Sequence, residues 1–372
     1  MLVSPRETIV AGFANAWRGS VCASLLLVGL WPNPLSGEGL AAGIGTAHAE
    51  DVGFFRIGTA ATAGSFFEIG GIIAGAVSKP ADSPPCDRGG SCGVPGLVAV
   101  AQATRGSLEN LKLIDAGQIE SGFAQADLAA WAYSGSGPFA GQPPMPRLRV
   151  IASLFPESLH LVVAGDSAIQ TVGDLKGRRV SLGEPDSGTL VTARLVLAEA
   201  GLGDGDFTAE YLRPAQEVEG LQNGKIDAFF LVGGYPVSAI VGLASSVPIR
   251  LVPLDPELLE RVRAKYGFYR HLAIPAGTYP GVHTETPSLG FRALWLVSAQ
   301  ADADLVYAIT RALWSSSTTQ LLKASDPIGA QIRLDEALLD SSVPLHPGAE
   351  RFYQEAGLPV DSQPIANNEE AR

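Results

Sequence analysis

Short apolar runs alternate along this chain with segments of helical spacing, and the joints between them are rich in Gly, Ser and Thr. That alternation constrains the fold more than any other feature. A strand, a crossover helix and a further strand bring the chain back into one sheet in the same direction. Phe54–Gly58 reads as a strand and runs into the small-residue loop Thr59–Gly64. Ser65 and Glu68 then have the spacing of a capping box, and Phe66, Ile69, Ile73 and Val77 follow at helical spacing. Ser107 caps a helix through Leu111 and Ile114 that stops at Gly117. Arg149–Leu154, His160–Ala164, Arg179–Gly183, Ala228–Val232, Ile249–Leu254 and Phe291–Ala299 read as strands. A helix after Thr189 ends at Gly201, and another is expected over Asp302–Leu322. The expected class is α/β, with a mostly parallel sheet covered on both faces.

One pattern occurs twice. Leu113-Ile-Asp-Ala-Gly117-Gln-Ile-Glu-Ser-Gly-Phe-Ala-Gln125 and Glu219-Gly-Leu-Gln-Asn-Gly224-Lys-Ile-Asp-Ala-Phe-Phe-Leu231 each read as a helix end, a Gly, a polar residue, Ile, an acid and an apolar strand. Two similar α/β lobes account for this, as does chance likeness between two turns. A cleft between two lobes is a favoured ligand site.

The N-terminal segment stands apart. Arg6 and Arg18 precede the apolar stretch Val21–Trp31, which is too short to cross a bilayer, and Ala47-His48-Ala49 has the small-x-small form of a cleavage site. Residues 1–49 are therefore expected to be a signal peptide, cleaved near Ala49, with a periplasmic mature chain and no membrane insertion afterwards. An uncleaved membrane anchor or a buried helix is the alternative. Of three cysteines, Cys86 and Cys92 remain after cleavage, and an even pair in an exported chain reads as a disulfide. A metal site would need further ligands, and the five histidines are scattered.

Several function classes lack their signatures. The formal charge of −12 argues against nucleic acid and anionic membrane surfaces. No phosphate-binding Walker loop, nucleophile elbow, zinc-protease helix or dinucleotide fingerprint occurs, so neither a cofactor nor a catalytic group is expected. What remains is a pair of strand-to-helix joints, Gly58-Thr-Ala-Ala-Thr-Ala-Gly-Ser65 and Gly183-Glu-Pro-Asp-Ser-Gly-Thr189. Each offers backbone N–H groups at a helix start beside Ser and Thr hydroxyls, a means of holding a carboxylate or phosphate. Ordinary helix caps use the same residues.

Ile57-Gly-Thr-Ala-Ala-Thr-Ala-Gly-Ser-Phe-Phe-Glu-Ile-Gly70 resembles the opening motif of TAXI-type solute receptors, the extracytoplasmic subunits of one group of tripartite (TRAP) transporters. The resemblance continues through Gly106-Ser-Leu-Glu-Asn-Leu111, Gln125-Ala-Asp127, Asp174-Leu-Lys-Gly177, Asp186-Ser-Gly-Thr189, Gly233-Gly-Tyr-Pro236, Gly277-Thr-Tyr-Pro-Gly281 and His346-Pro-Gly-Ala-Glu350. Phe66 and Phe67 replace a Tyr pair of that family, and Glu68 stands where Pro is common. The resemblance implies a type II periplasmic-binding-protein fold, with residues 50–153 plus 286–372 in lobe 1 and 154–285 in lobe 2. It implies capture of a small, anionic or amino-acid-like solute and delivery to the membrane permease subunits of an ion-gradient-driven TRAP transporter. The alternatives are a receptor for an ATP-driven (ABC) importer and, in another class, a periplasmic enzyme on the same scaffold.

The ligand-binding residues expected on this basis are Thr59, Ser65, Phe66, Gln125 and Asp127 in the first lobe, and Ser187, Gly188, Thr189, Gly234 and Tyr235 in the second. Asp127 reads either as a partner for a ligand ammonium or as a helix cap. One of Phe66 and Phe67 walls the cleft. Arg147 and Arg149, near the hinge, read as surface groups or, as the alternative, as partners for an anion, and Tyr279 as cleft or surface. The Ser187-Gly-Thr189 turn reads as an anion clamp, so that Thr189→Val would lower affinity and leave ligand-free stability nearly unchanged.

Overall fold

The computed structural model describes residues 53–360 apart from Gly89; the expected signal peptide and its cleavage site lie outside them. The strands are β1 (Gly53–Gly58), β2 (Ser78–Lys79), β3 (Val94–Pro95), β4 (Leu97–Gln102), β5 (Ser121–Gln125) and β6 (Leu148–Ala164). They continue with β7 (Arg179–Ser181), β8 (Thr208–Glu210), β9 (Ala228–Gly233), β10 (Ile249–Leu251), β11 (Arg270–Ile274) and β12 (Thr286–Ser298). The helices are α1 (Ser65–Val77), α2 (Ser107–Asp115), α3 (Ala126–Ser134), α4 (Gly188–Glu199) and α5 (Pro214–Gln222). Further on come α6 (Ser238–Ser246), α7 (Pro256–Lys265), α8 (Ala303–Leu313), α9 (Ser316–Ser325) and α10 (Pro347–Glu355).

The strands form one curled sheet in the order β3-β2-β4-β1-β5-β12-β6-β9-β7-β8, with β10 beside β6 and β11 beside β12. Each half has the expected parallel core: β1 with β4 and β5, and β7 with β8 and β9. The centre does not. β12 runs antiparallel to both β5 and β6, and β6 antiparallel to β9. The chain crosses from one half to the other along β6 and returns along β12, so these two strands lie in opposite directions. The two expected strands around Phe155 are therefore one long strand, whose first part faces β12 and whose last part faces β9.

The repeated sequence pattern is a repeated structure. Gly117 and Gly224 both adopt positive φ, 69° and 62°, just past the ends of α2 and α5. The acid that follows each acts in the same way. Glu120 accepts from the backbone N and the guanidinium of Arg56 on β1, and Asp227 does so from Arg179 on β7, with the backbone contact at 2.8 Å in both. The pattern thus encodes a helix end and a hook that sets the register of the next strand.

Apolar clusters lie on both sides of the sheet. One gathers Phe55, Ile69, Phe123, Phe155 and Trp295 under α1, α8 and α10. Trp295 is fully buried, packs edge-on against Phe55 and Phe123, and donates its indole N–H to Ser121 at 3.0 Å. A second cluster joins α2, α3, α4 and α7 across the sheet, and a third lies under α6. The expected helix over Asp302–Leu322 is two helices. Trp314 ends the first and Ser315 caps the second by accepting from Thr318 N–H, a local bond that competes with continuing the helix. Cys86 and Cys92 are joined in a disulfide beside β3. Among the described residues no helix is long and apolar enough to cross a membrane.

Candidate functional site

Four helix starts meet at one cavity. Its walls include Gly64, Ser65 and Phe66 at the start of α1, Gly106 and Ser107 at α2, Ser187, Gly188 and Thr189 at α4, and Pro214 and Glu217 on α5. Gln125, Glu157, Glu184 and Arg105 complete the polar lining, and Leu212, Leu231 and Val232 supply apolar surface. Neither α1 nor α2 has a side-chain cap, because glycine occupies both cap positions. The opening N–H groups of a helix have no partner within it, so these starts present a positive field to the cavity.

The two halves touch across this cavity through specific bonds. Gln125 ends β5 and donates through Nε2 to Thr192 on α4 at 3.2 Å. Ser107 accepts from Gln125 N–H and donates to its Oε1. Asp186, held at positive φ of 62°, pairs with Lys112 at 2.7 Å and with Arg105 at 3.2 Å, and its carbonyl accepts from Glu109 N–H. The Lys112 hydrogen bond, with both cations close by, holds the Asp186 carboxyl below its usual range against partial burial. Ser238 at the start of α6 donates to Glu68 on α1.

Six of the residues expected from the sequence line the cavity: Ser65, Phe66, Gln125, Ser187, Gly188 and Thr189. Four do not, and each has a structural task. Thr59 is fully buried and donates to Gln102 O at 2.8 Å, tying β1 to β4. Asp127 is buried on α3 and accepts from Tyr269 OH at 2.7 Å. It is not a cap, since α3 begins one residue earlier with Gln125 in that position. Gly234 brings its N–H to Ser65 Oγ at 3.2 Å, and Tyr235 offers its carbonyl to Gln331. Of the two phenylalanines, Phe66 walls the cavity, edge-on to Phe123 and Phe155.

The local roles also differ from those expected. Ser65 does not cap α1; Gly64 stands there, which frees the hydroxyl for Gly234 across the cavity. Ser187 does cap α4, accepting from Leu190 N–H at 3.1 Å. Thr189 Oγ1 accepts from Val232 N–H at 3.1 Å, tying α4 to β9. Thr189→Val leaves that N–H unpaired. It is expected to cost about 1–2 kcal/mol in denaturant unfolding of the ligand-free protein. An affinity loss without a stability loss would show instead that the hydroxyl serves only the ligand.

Tyr279 is neither cleft wall nor surface; it is buried in a chain of hydrogen bonds. His160 Nδ1 faces the carbonyls of Ser158 and Leu231, so it carries the proton, and Nε2 accepts from Tyr279 OH at 2.8 Å. Tyr279 OH in turn accepts from Val237 N–H at 3.0 Å. Burial lowers His160 to about 4, so the ring is neutral. Arg147 pairs with Asp115, and Arg149 donates to the carbonyls of Pro146 and Leu148, both away from the cavity.

Arg105, Glu157, Glu184 and Glu217 are lining residues that the sequence reading missed. Glu184 pairs with Arg213 at 3.0 Å, yet burial still raises it. Glu217 is buried, accepts from Ser181 OH at 2.7 Å, and is raised by desolvation to about 8. Glu157 is 1% exposed, and its Oε2 has no hydrogen-bond partner. Desolvation, then the nearby Asp127 charge, raise it well above the usual carboxyl range. The signals were present: Glu157 is the one acid in the apolar run Ile151–Ala164, and Glu217 lies four residues before the buried Leu221 on the same helix face.

The NMT1-like family model matches residues 57–357. A protein of Escherichia coli named as a putative aliphatic sulfonates-binding protein is 33% identical over 132 residues, 36% of each chain. The chain thus spans about a third of the length of that curated relative. Among solved structures, the periplasmic aliphatic sulphonate binding protein of Escherichia coli is 16% identical over 84% of this chain and 95% of its own, with a TM-score of 0.40. A putative L-cystine ABC transporter structure from Listeria monocytogenes is 12% identical over 76% of this chain and 98% of its own, with a TM-score of 0.45. None of these likenesses carries the name of a tripartite-transporter receptor. The family match runs from β1 to the end of α10 and so takes in both halves of the sheet and the cavity between them: the chain belongs to the NMT1-like family.

Proposed function

We propose that this protein is an extracytoplasmic solute receptor that captures a small solute bearing an acid group and delivers it to a membrane importer. The observation that carries the reading is the convergence of uncapped helix starts on one cavity walled from both halves of the sheet. Such starts hold carboxylate, sulfonate or phosphate oxygens without an obligatory cation. The bonds across the cavity supply a two-state element: contacts made by solute to both halves favour the closed arrangement over an open one. The sulfonate-binding relative supports an acid-bearing solute. The partner taken here is an ATP-driven importer, in place of the ion-driven tripartite permease suggested by the motifs.

Binding is tested on the purified mature chain by thermal shift and titration calorimetry with small sulfonates, carboxylates and amino acids. Saturable one-to-one binding is expected, with a stabilisation of about 2.7 kcal/mol at a hundredfold excess over Kd. The absence of any shift, or consumption of the bound compound, overturns the receptor reading. Uptake of the bound solute that fails on ATP depletion and survives collapse of ion gradients supports the importer assignment, and the reverse pattern restores the tripartite one.

A further inference from the structure

The acid-binding helix starts do not account for Glu157. It lies in the middle of β6, opposite Phe291 of β12, and lines the cavity beside Ser65 and Gln125. Buried polar atoms are almost always paired, and an orphan costs free energy unless something outside the described groups meets it. The other two carboxyls of the lining are partnered, Glu184 by Arg213 and Glu217 by Ser181. Asp127, the neighbouring buried acid, is held by Tyr269 through Oδ2, leaves Oδ1 without a partner, and does not line the cavity. The lining therefore has one buried carboxyl left for a ligand.

We propose that the cavity takes a zwitterionic solute, an amino acid or aminosulfonate, whose ammonium group is accepted by Glu157 while its acid group lies at the uncapped helix starts that line the cavity. The inference rests on the receptor reading and adds the second charge to it. Two features of the walls agree. The lining carries three carboxyls, Glu157, Glu184 and Glu217, against the single Arg105, so acceptors for an ammonium outnumber cations for an anion. The helix starts and Glu157 on β6 are different groups of one lining, so each ligand charge has its own partner.

Protonation offers an independent readout. The charge that reaches Glu157 is that of Asp127 on α3; Glu217 on α5, Glu184 before α4 and Arg105 before α2 share its lining. Burial favours the protonated form of Glu157 in the ligand-free protein. An ammonium placed against it favours the carboxylate, so binding should expel a proton to the buffer.

The test uses matched pairs on the whole mature protein: 2-aminoethanesulfonate with ethanesulfonate, L-alanine with propanoate, and L-aspartate with butanedioate. At least one amino member is expected to bind about tenfold tighter than its deamino partner, with proton release seen as a dependence of the measured heat on buffer ionisation. Glu157→Gln should bring the pair level and abolish the release, while Glu157→Asp retains part of both. Melting curves confirm that the variants fold. Deamino members bound as tightly as their amino partners in every pair that binds, or a preference that survives in Glu157→Gln, overturn the zwitterion and leave the receptor standing. Failure of all six compounds to bind overturns both.

Discussion

Gly188→Ala is expected to abolish solute capture while leaving the ligand-free protein folded. Gly188 opens α4 in one half of the sheet and faces Gln125 and Ser107 in the other. A Cβ at this position would lie 1.3 Å from Gln125 Oε1, 2.5 Å from its Cδ and 2.9 Å from Ser107 Oγ. No real contact is that short, so something must give. The Gln125 amide can rotate only by giving up its bonds to Thr192 and Ser107 inside a buried site. Each polar group left unpaired there costs roughly 1–3 kcal/mol. Otherwise α4 retreats and the cavity opens. Both routes penalise the closed arrangement, and a loss of two such groups corresponds to an affinity drop of about a hundredfold or more. The clash arises only where the two halves meet, so an open, ligand-free protein escapes it, and alanine favours the helix itself; the melting temperature without ligand should then change little. Titration of any solute found for the wild type separates the cases. Undiminished affinity would mean that this helix start and Gln125 do not come together around the solute.

How far the sequence disclosed this site depends on what each residue does. Alternating strands and helices were legible because their periods are local, and so was the paired architecture, because the hooks Arg56–Glu120 and Arg179–Asp227 recur at matching positions. The small-residue joints pointed to Ser65 and to Ser187–Thr189, since a cavity walled by backbone needs small side chains. The hydroxyl roles were not legible. Ser65 and Glu68 have perfect capping-box spacing, yet both bond to residues about 170 positions away, Gly234 and Ser238. A local motif cannot reveal that a tertiary partner has taken its atoms.

The motifs that carried the family resemblance are largely structural. Asp174 closes a cap with Thr171, His346 caps α10 through Nδ1, and Tyr279 serves the buried histidine. Such motifs fix where loops go, and they identify an architecture more readily than a transport partner. The lining acids escaped notice for the opposite reason. Glu157 sits on a strand that is buried along almost its whole length, and only the crossing of β6 under the helix starts makes its carboxyl part of a site.

The stability of the ligand-free protein is expected to fall as pH rises from about 5 to above 8, and Glu217→Gln should remove much of that fall. Desolvation raises the Glu217 carboxyl from 4.5 to about 8. Between those values the folded protein holds a proton that the unfolded chain has released. The neutral carboxyl's full contribution is present below pH 4.5 and is lost as pH climbs through 8. A displacement of about 3 pH units corresponds to roughly 3–5 kcal/mol at alkaline pH. Asp127, raised by burial to about 6, and Glu157 act in the same direction. His160, lowered to about 4, acts in the other, because between pH 4 and 6.5 it is the unfolded chain that holds the extra proton. The difference between variant and wild type cancels those shared contributions. Glutamine keeps an oxygen for the Ser181 hydroxyl and cannot ionise, so the variant should match the wild type near pH 5 and exceed it at pH 8.5. Urea unfolding at both pH values measures the gap. Parallel stability curves would show that water or a counter-charge reaches Glu217 in solution, and the cavity floor would then be far more polar than its packing in the closed arrangement requires.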